Sequence, residues 1–434
     1  MTHQTVTEWG YVPLVAAGEK GLTRTHADRL IAVARAATIG GEDGSAVLTD
    51  HHRKLRAQQV VGVIAADDCT LEILPKIEGL GSGENEASRT QIRQRLIHML
   101  GVAYDLDLSM GQMTALGVQN QTLLEILIGA FCQQLTDALR HGMPRRYVAH
   151  EEDLPALRGR LDVQRQFTTL AASPQRLACR YDALSSDIAL NQVMKAAIAR
   201  LGRVARSSAN QRRLRELDYH YAEIAAVPIR ALRWDTIVLD RTNSRWRALR
   251  DLARLLLAGD YQTTSHGSAP GFSLLFAMND LFEAYVARML AKALEGTGLR
   301  VVAQDRLHYC LADETGRRRF QVRPDILVKE GSETRMVIDT KWKRISARID
   351  DEKQGVSQAD VYQMMAYGRL YACSELMLLY PHHANLGEEG ETGRYAVMGC
   401  DDVLRTATLD MATGAQMIER LRALCDPVLS VAAH

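Results

Sequence analysis

The hydrophobic pattern changes period several times along the chain. QQVVGVIAADDCTLEILPKI (58–77) holds two β-rich runs flanking Asp67-Asp68, the pattern of a hairpin. GLGSGENEAS (79–88) reads as a loop or link. After it, Ile92, Leu96, Ile97 and Leu100 recur at helical spacing, and residues 120–144 continue as a long helix that stops at Gly142 and Pro144. Leu190, Val193, Met194, Ala197 and Leu201 mark the buried stripe of another helix, with Ser185 or Ser186 placed to cap it. TTSHGSAPG (263–271) is polar, small and closed by Pro-Gly, and is the clearest domain boundary.

Beyond that boundary the order is a helix over LLFAMNDLFEAYVARMLAKAL, a strand at LRVVAQ and two apolar runs within residues 322–344. A helix at SQADVYQMMAYGRLYA, a strand at ELMLLYP and a last helix near 412–425 complete it. Helices alternating with strands predict an α/β sheet domain. The chain as a whole is expected to be α+β and multidomain. Residues 1–150 form a β-rich and helical region, 151–265 a helical middle region with a basic patch, and 266–434 the α/β domain with a mixed central sheet.

Composition adds mainly exclusions. With 434 residues, 47% hydrophobic and 24% charged, the chain has an ordinary globular make-up, and its formal net charge of +1 carries no global signature for nucleic acid or membrane. A nucleic-acid site must therefore be a local patch. Arginines 200, 203, 206, 212, 213 and 215 offer one, read either as a solvated helix surface or as phosphate contacts. The seven cysteines are scattered without a CxxC, which argues for core residues of a reducing compartment rather than a zinc cage or disulfide framework. No stretch approaches a membrane span and no signal pattern opens the chain, so a cytoplasmic location is expected. GxxxxGK[ST] is missing, so the chain itself is expected to bind no nucleotide. Adjacent His51-His52 and His382-His383 point in different directions, which makes neither pair a metal site by itself. Trp234, Trp246 and Trp342 are read as packing residues, and His308 as a strand-surface residue.

The stretch that carries chemistry is VRPDILVKEGSETRMVIDTKWKR (322–344). Each of its two strand-like runs holds an aspartate where a buried strand should avoid one. Strand periodicity puts Asp339 and Lys341 on one face, and the turn EGSE folds the second run back so that Asp325 approaches Asp339. Two converging carboxylates repel unless a cation sits between them, and oxygen ligands suit Mg²⁺. Glu283 on the preceding helix is placed to reach such an ion. Gln363 and Tyr367 share a face of the following helix, which Ser357 and Asp360 would open as a capping box.

This pattern resembles the PD-(D/E)xK nuclease superfamily. The succession LEILPKI, RLIHMLGVAYDL, LRGRLDV, CRYDALSSDIALNQVMKAAIARL, FAMNDLFEAYVARML, PDILV…VIDTKWK and SQADVYQMMAYGRLY…LLYP is similar to the McrC family. These are the nuclease subunits of McrBC modification-dependent restriction systems. The resemblance implies a Mg²⁺-dependent DNA endonuclease with metal ligands Asp325, Asp339 and Glu283, a catalytic Lys341, and Gln363 and Tyr367 at the site. It also implies a McrB-like AAA+ GTPase ring as partner, docked by the N-terminal half and stimulated by it. GTP would be bound by that partner, double-stranded DNA would be the substrate, and nuclease domains would pair during cleavage. Gly159-Arg160 is a candidate for insertion into the ring, and equally a turn glycine followed by a surface arginine. Two other readings stay open: a stand-alone RecB-like repair nuclease, and a non-catalytic activator or DNA clamp of the motor.

Overall fold

The computed structural model describes residues 2–432, apart from 38, 40–44, 78–85, 107–120, 174, 242, 259–270, 304–307, 347, 350, 352–354 and 413–415. The chain divides into two compact units. One joins Met1–Leu123 to Ser265–His434, and the other is Leu124–Thr264. The stretch 263–271 holds the boundary between them but, before Gly271, lies outside the described residues, as does 79–85.

The N-terminal segment runs β1 (Thr2–Thr7), β2 (Tyr11–Pro13), α1 (Arg24–Ala36), β3 (Leu48–Asp50), β4 (Lys54–Ala57), β5 (Val60–Ala66), β6 (Cys69–Leu74) and α2 (Glu86–Ala103). β5 and β6 are the hairpin expected around Asp67-Asp68. β1 adds to β6 in parallel. Leu30, Val33, Ile64, Leu71 and Ile73 share the core between this sheet and α1. Ile92, Leu96, Ile97 and Leu100 of α2 are buried, as their spacing predicts.

The second unit contains nearly all of α3 (Leu123–Arg140), then β7 (Arg146–Leu154), β8 (Arg160–Leu161), α4 (Val163–Phe167), β9 (Leu177–Ser185), α5 (Ala189–Val204), α6 (Ser208–His220) and α7 (Trp246–Leu257). β9 pairs antiparallel with both β7 and β8. The predicted stripe of α5 is buried, but its serine cap is not made. Ile188 occupies the cap position, and Ser185 Oγ accepts from Asp187 N at 3.0 Å within the preceding loop. Gly159 has φ +70°, and a Cβ there would lie 2.4 Å from the Arg180 carbonyl, so the close strand approach requires glycine.

The remainder of the first unit comprises β10 (Gly271–Ala277), α8 (Met278–Ala293), β11 (Leu299–Ala303), β12 (His308–Ala312), β13 (Arg318–Val322), β14 (Ile326–Glu330), β15 (Glu333–Thr340), α9 (Gln358–Tyr371), β16 (Glu375–Pro381), β17 (Gly390–Ala396), β18 (Val403–Leu409), α10 (Met417–Leu424) and α11 (Asp426–Ala432). Here the helix expected from Leu274 is corrected: Gly271–Ala277 is a strand, paired antiparallel with β5, and the helix starts at Met278. FSLLFA alternates buried and half-buried residues, a period-two pattern that a short apolar run next to a helix hides. The larger sheet has the order β11-β14-β15-β16-β18-β17 and is mixed. β14 pairs antiparallel with β11 and β15, whereas β15, β16 and β18 run parallel. The crossover from β15 to β16 contains α9, whose Met364 and Tyr367 enter the core with Leu327, Val337, Leu376 and Leu378.

Cys69, Cys132, Cys179, Cys373 and Cys425 are buried as expected, while Cys310 and Cys400 are exposed. No described helix is long and apolar enough to cross a membrane.

A buried ion pair, Glu72 with Arg93, lies inside the first unit. Glu72, fully buried, accepts from Arg93 Nε at 2.8 Å, Arg93 Nη2 at 2.7 Å and the Leu123 amide at 2.8 Å. Burial alone would raise the Glu72 pKa, but the Arg93 hydrogen bonds and charge outweigh it and hold the carboxyl below its ordinary value. The stabilisation is therefore complete above the ordinary pKa of 4.5 and is lost as pH falls through the depressed value. Arg93→Ala, which strands a buried charge, should cost about 3–5 kcal/mol at neutral pH, read as a lowered urea midpoint with an unchanged m-value.

Candidate active site

The β14–β15 hairpin builds the site. Pairing of Ile326 with Ile338 puts Asp325, just before β14, opposite the end of β15. Thr340 then donates twice to Asp325 Oδ2, from its amide at 2.7 Å and its hydroxyl at 2.9 Å. Asp339 is 1% exposed, on a strand buried from both sides. Lys341 Nζ lies 2.7 Å from Asp339 Oδ2, confirming that the two share a face. This buried oxygen therefore has the Lys341 ammonium as its close charged partner.

The electrostatics follow from this crowding. Burial, and then the neighbouring Asp325 charge, push the Asp339 carboxyl up to about 6 against the pull of Lys341. Asp325 is also raised, chiefly by burial, although the Thr340 hydrogen bonds and Lys341 oppose it. Burial disfavours the Lys341 ammonium, but Asp339 and then Asp360 more than compensate and raise its pKa. Two buried carboxyls that each resist ionisation make a site whose ionised form a bound cation would favour.

The helix after the hairpin supports the site from behind. Tyr367 OH accepts from Gln363 Nε2 at 2.7 Å and donates to the Arg323 carbonyl at 2.9 Å, two residues before Asp325. Tyr367 is 1% exposed, so it anchors the backbone of the PD segment rather than facing solvent. Ser357 Oγ caps α9 by accepting from Asp360 N at 3.1 Å. The second half of the expected capping box is replaced, because the Asp360 carboxylate accepts from Lys343 Nζ at 2.6 Å and lies 3.9 Å from Lys341. Asp360 is a site residue that sequence reasoning assigned only to capping; its signal was the helix-start position facing a Lys-x-Lys strand end.

Glu283 lies half-buried on α8. The carboxylate of that helix whose charge reaches Asp325 is Asp280, three residues earlier and on the same face. No cluster of three or more His, Cys, Asp or Glu arranged to hold a metal occurs among the described residues. The two-carboxylate pair still fits a hard divalent cation, because Mg²⁺ keeps waters and substrate oxygens in its remaining positions. The buried Asp339 carboxyl, crowded by the Asp325 charge, is the group such an ion would relieve.

Trp342 points to the other side of the strand, as expected. Its ring meets Phe282 edge-on at 5.3 Å, and its Nε1 donates to Glu8 Oε1 of the N-terminal segment at 2.7 Å. Its carbonyl accepts from Gln59 at 2.7 Å. His382 contacts the Thr408 hydroxyl at 3.0 Å and His383 the Ile345 carbonyl at 2.6 Å, which occupies both with structural partners. Trp246 is buried, and Trp234 is half-buried with Arg254 above its ring.

A family model described as the McrBC 5-methylcytosine restriction system component matches residues 55–381. Among solved structures, one similar chain belongs to the refined half-complex from a tetradecameric assembly of Thermococcus gammatolerans McrB AAA+ hexamers with bound McrC. It has a TM-score of 0.71 at 20% identity and covers 98% of this chain and 100% of that chain. A second, in the cryo-EM structure of the Thermococcus gammatolerans McrBC complex, has a TM-score of 0.54 at 24% identity over 68% of this chain and 88% of that chain. At these identities the likeness shows a shared fold. No curated protein matches.

The raised Asp339 pKa sets a stability signature. A carboxyl that is harder to ionise when folded contributes fully below its unfolded pKa, and that contribution is lost as pH rises through about 6. In metal-free buffer at about pH 8, Asp339→Asn should therefore stabilise the protein by roughly 1–3 kcal/mol. The difference should disappear near pH 4, as read from denaturation midpoints at the two pH values.

Proposed function

Because the chain belongs to the McrBC 5-methylcytosine restriction system component family, we propose that it is the Mg²⁺-dependent DNA endonuclease subunit of a GTP-driven, modified-cytosine-dependent restriction complex, built on a PD-(D/E)xK domain. The observation that carries the reading is the buried convergence of Asp325 and Asp339 with Lys341 2.7 Å from Asp339. Asp325 and Asp339 would hold the metal, with Glu283 or Asp280 completing its surroundings through water. Bound there, Mg²⁺ supplies Lewis-acid polarisation of the phosphodiester and a more acidic water.

The chain's own residues do the rest. Thr340 fixes the Asp325 carboxylate through two hydrogen bonds. Lys341 supplies positive charge where negative charge develops on the attacked phosphate. Asp339 and Asp360 keep that lysine charged and directed. Gln363 and Tyr367 are positioning residues that hold the Arg323 carbonyl, and with it the segment bearing Asp325.

An AAA+ GTPase ring is the proposed partner, in keeping with the similarity to chains of McrBC assemblies. The middle unit exposes Tyr147, Leu157, Phe167 and Leu184, apolar side chains suited to a protein interface. Stimulation of the partner's GTPase belongs to the same proposal.

Plasmid cleavage with Mg²⁺ and GTP tests it, with methylated and unmethylated DNA, with and without the AAA+ protein. Wild type should cut only with the partner and methylation. Asp339→Ala should abolish cutting while preserving GTPase stimulation, and Lys341→Ala should slow it about 10²–10³-fold. Tyr367→Phe should slow it roughly tenfold to a hundredfold through misplaced geometry. Wild-type cutting by Asp339→Ala would refute the site. Cutting without the partner would indicate a stand-alone nuclease, and stimulation without any cutting an activator.

A further inference from the structure

Between β11 and β14 the first unit carries an arm. β12 and β13 form a two-stranded sheet of their own. The root of the arm is moored beside the candidate site. The His308 ring lies 4.4 Å from that of Tyr371 at the end of α9, and Val322 packs against the core around Tyr367. The next residue, Arg323, has its carbonyl held by Tyr367, and Asp325 follows two residues later.

Further out, the arm has a different character. Arg317, Arg318, Arg319 and Phe320 are consecutive and all exposed. Of its two acids, Asp313 is committed to the turn, accepting from the Thr315 hydroxyl at 2.7 Å and the Arg317 amide at 2.9 Å, and pairing with Arg319 at 3.2 Å. Phe320 is 74% exposed and Leu311 57%, so the fold leaves the apolar surface of the arm unused. Phe320 also adopts φ +53°, a left-handed conformation that is an outlier for a bulky residue. The strand register skips it, pairing Tyr309 with Gln321 and Leu311 with Arg319. A strained, exposed phenyl ring beside a run of guanidinium groups contributes nothing visible to folding.

We propose that this arm is a double-stranded-DNA contact of the nuclease domain: Arg317 and Arg318 neutralise backbone phosphates, and Phe320 is a wedge that stacks at a base step near the scissile phosphate. The inference rests on the nuclease reading and adds the element that positions the substrate. A two-stranded ribbon has the width of a DNA groove, and apolar side chains inserted between base steps are an established means of kinking a duplex. Asp325 is the fifth residue after Phe320, so their α-carbons lie at most about 17 Å apart. The wedge therefore acts within about five base pairs of the cut, at roughly 3.4 Å per pair.

The test uses the full chain and a duplex of about 30 base pairs carrying 2-aminopurine, in Ca²⁺ to hold off cleavage. Affinity is measured across a salt series. Arg317→Ala with Arg318→Ala should weaken binding at least tenfold and lower the slope of log affinity against log salt by about 1.8. Phe320→Ala should keep the slope, weaken binding about fivefold to a hundredfold and remove the rise in 2-aminopurine fluorescence that reports unstacking. Phe320→Gly, which relieves the left-handed strain, should melt no lower than wild type and still lose the signal, which a structural role for the ring would not allow. Wild-type affinity, slope and fluorescence in these variants would overturn the proposal. So would failure of the wild-type chain to hold the duplex, or a lowered melting temperature for Phe320→Gly. Asp339→Ala runs alongside so that the two readings fail separately: wild-type cutting by that variant removes the nuclease assignment, while the arm is judged on binding and unstacking.

Discussion

Two carboxylates pressed together in a buried strand end are unstable company, and the local structure is organised around keeping them there. The β14–β15 pairing sets the register that brings Asp325 to Asp339, and Thr340 fixes the first acid with two hydrogen bonds. Lys341 offsets part of the repulsion, yet Asp339 remains pushed up to about 6. Behind them, Tyr367 pins the backbone of the PD segment to α9. A protein that needed only a stable hairpin would place apolar side chains at these positions, since replacing buried charges by well-packed hydrophobic groups is often neutral or stabilising. The arrangement makes physical sense when a cation shares the site.

The strand bearing these groups is tied to the N-terminal sheet within the same compact unit. Trp342, directly after Lys341, donates to Glu8 and receives a hydrogen bond from Gln59 through its carbonyl. Burial raises the Glu8 carboxyl to about 7, although the Lys76 amide and the Trp342 indole favour its ionised form. β10 meanwhile closes the edge of the N-terminal sheet on β5. Both hydrogen bonds reach the residue next to Lys341, from the end of β1 and the start of β5.

Much of this was legible in the chain because the relevant signals are local. The period-two run from Val337 to Lys341 fixes which side chains share a face, and the EGSE turn fixes the return that pairs Asp325 with Asp339. The four-residue spacing of Gln363 and Tyr367 predicts their contact, which the structure shows at 2.7 Å. Long-range pairings left no such trace. Nothing in FSLLFA names β5 as its partner, and an apolar run fused to a helix takes on the helix's period. In the sequence Asp360 shows only as a capping residue, because its partner Lys343 is distant along the chain, although both lie near the same strand end. The buried pair of Glu72 and Arg93 escaped for the same reason: each sits in a segment whose periodicity concerns its apolar neighbours.

In the proposed function, Asp325 and Asp339 together hold a divalent cation. Mn²⁺ titration followed by electron paramagnetic resonance tests this without requiring turnover, DNA or a partner. The wild-type chain should show one saturable site, lost in both Asp325→Ala and Asp339→Ala and kept in Tyr367→Phe. Equal Mn²⁺ binding by wild type and both aspartate variants, or no saturable binding by the wild-type chain, would contradict it.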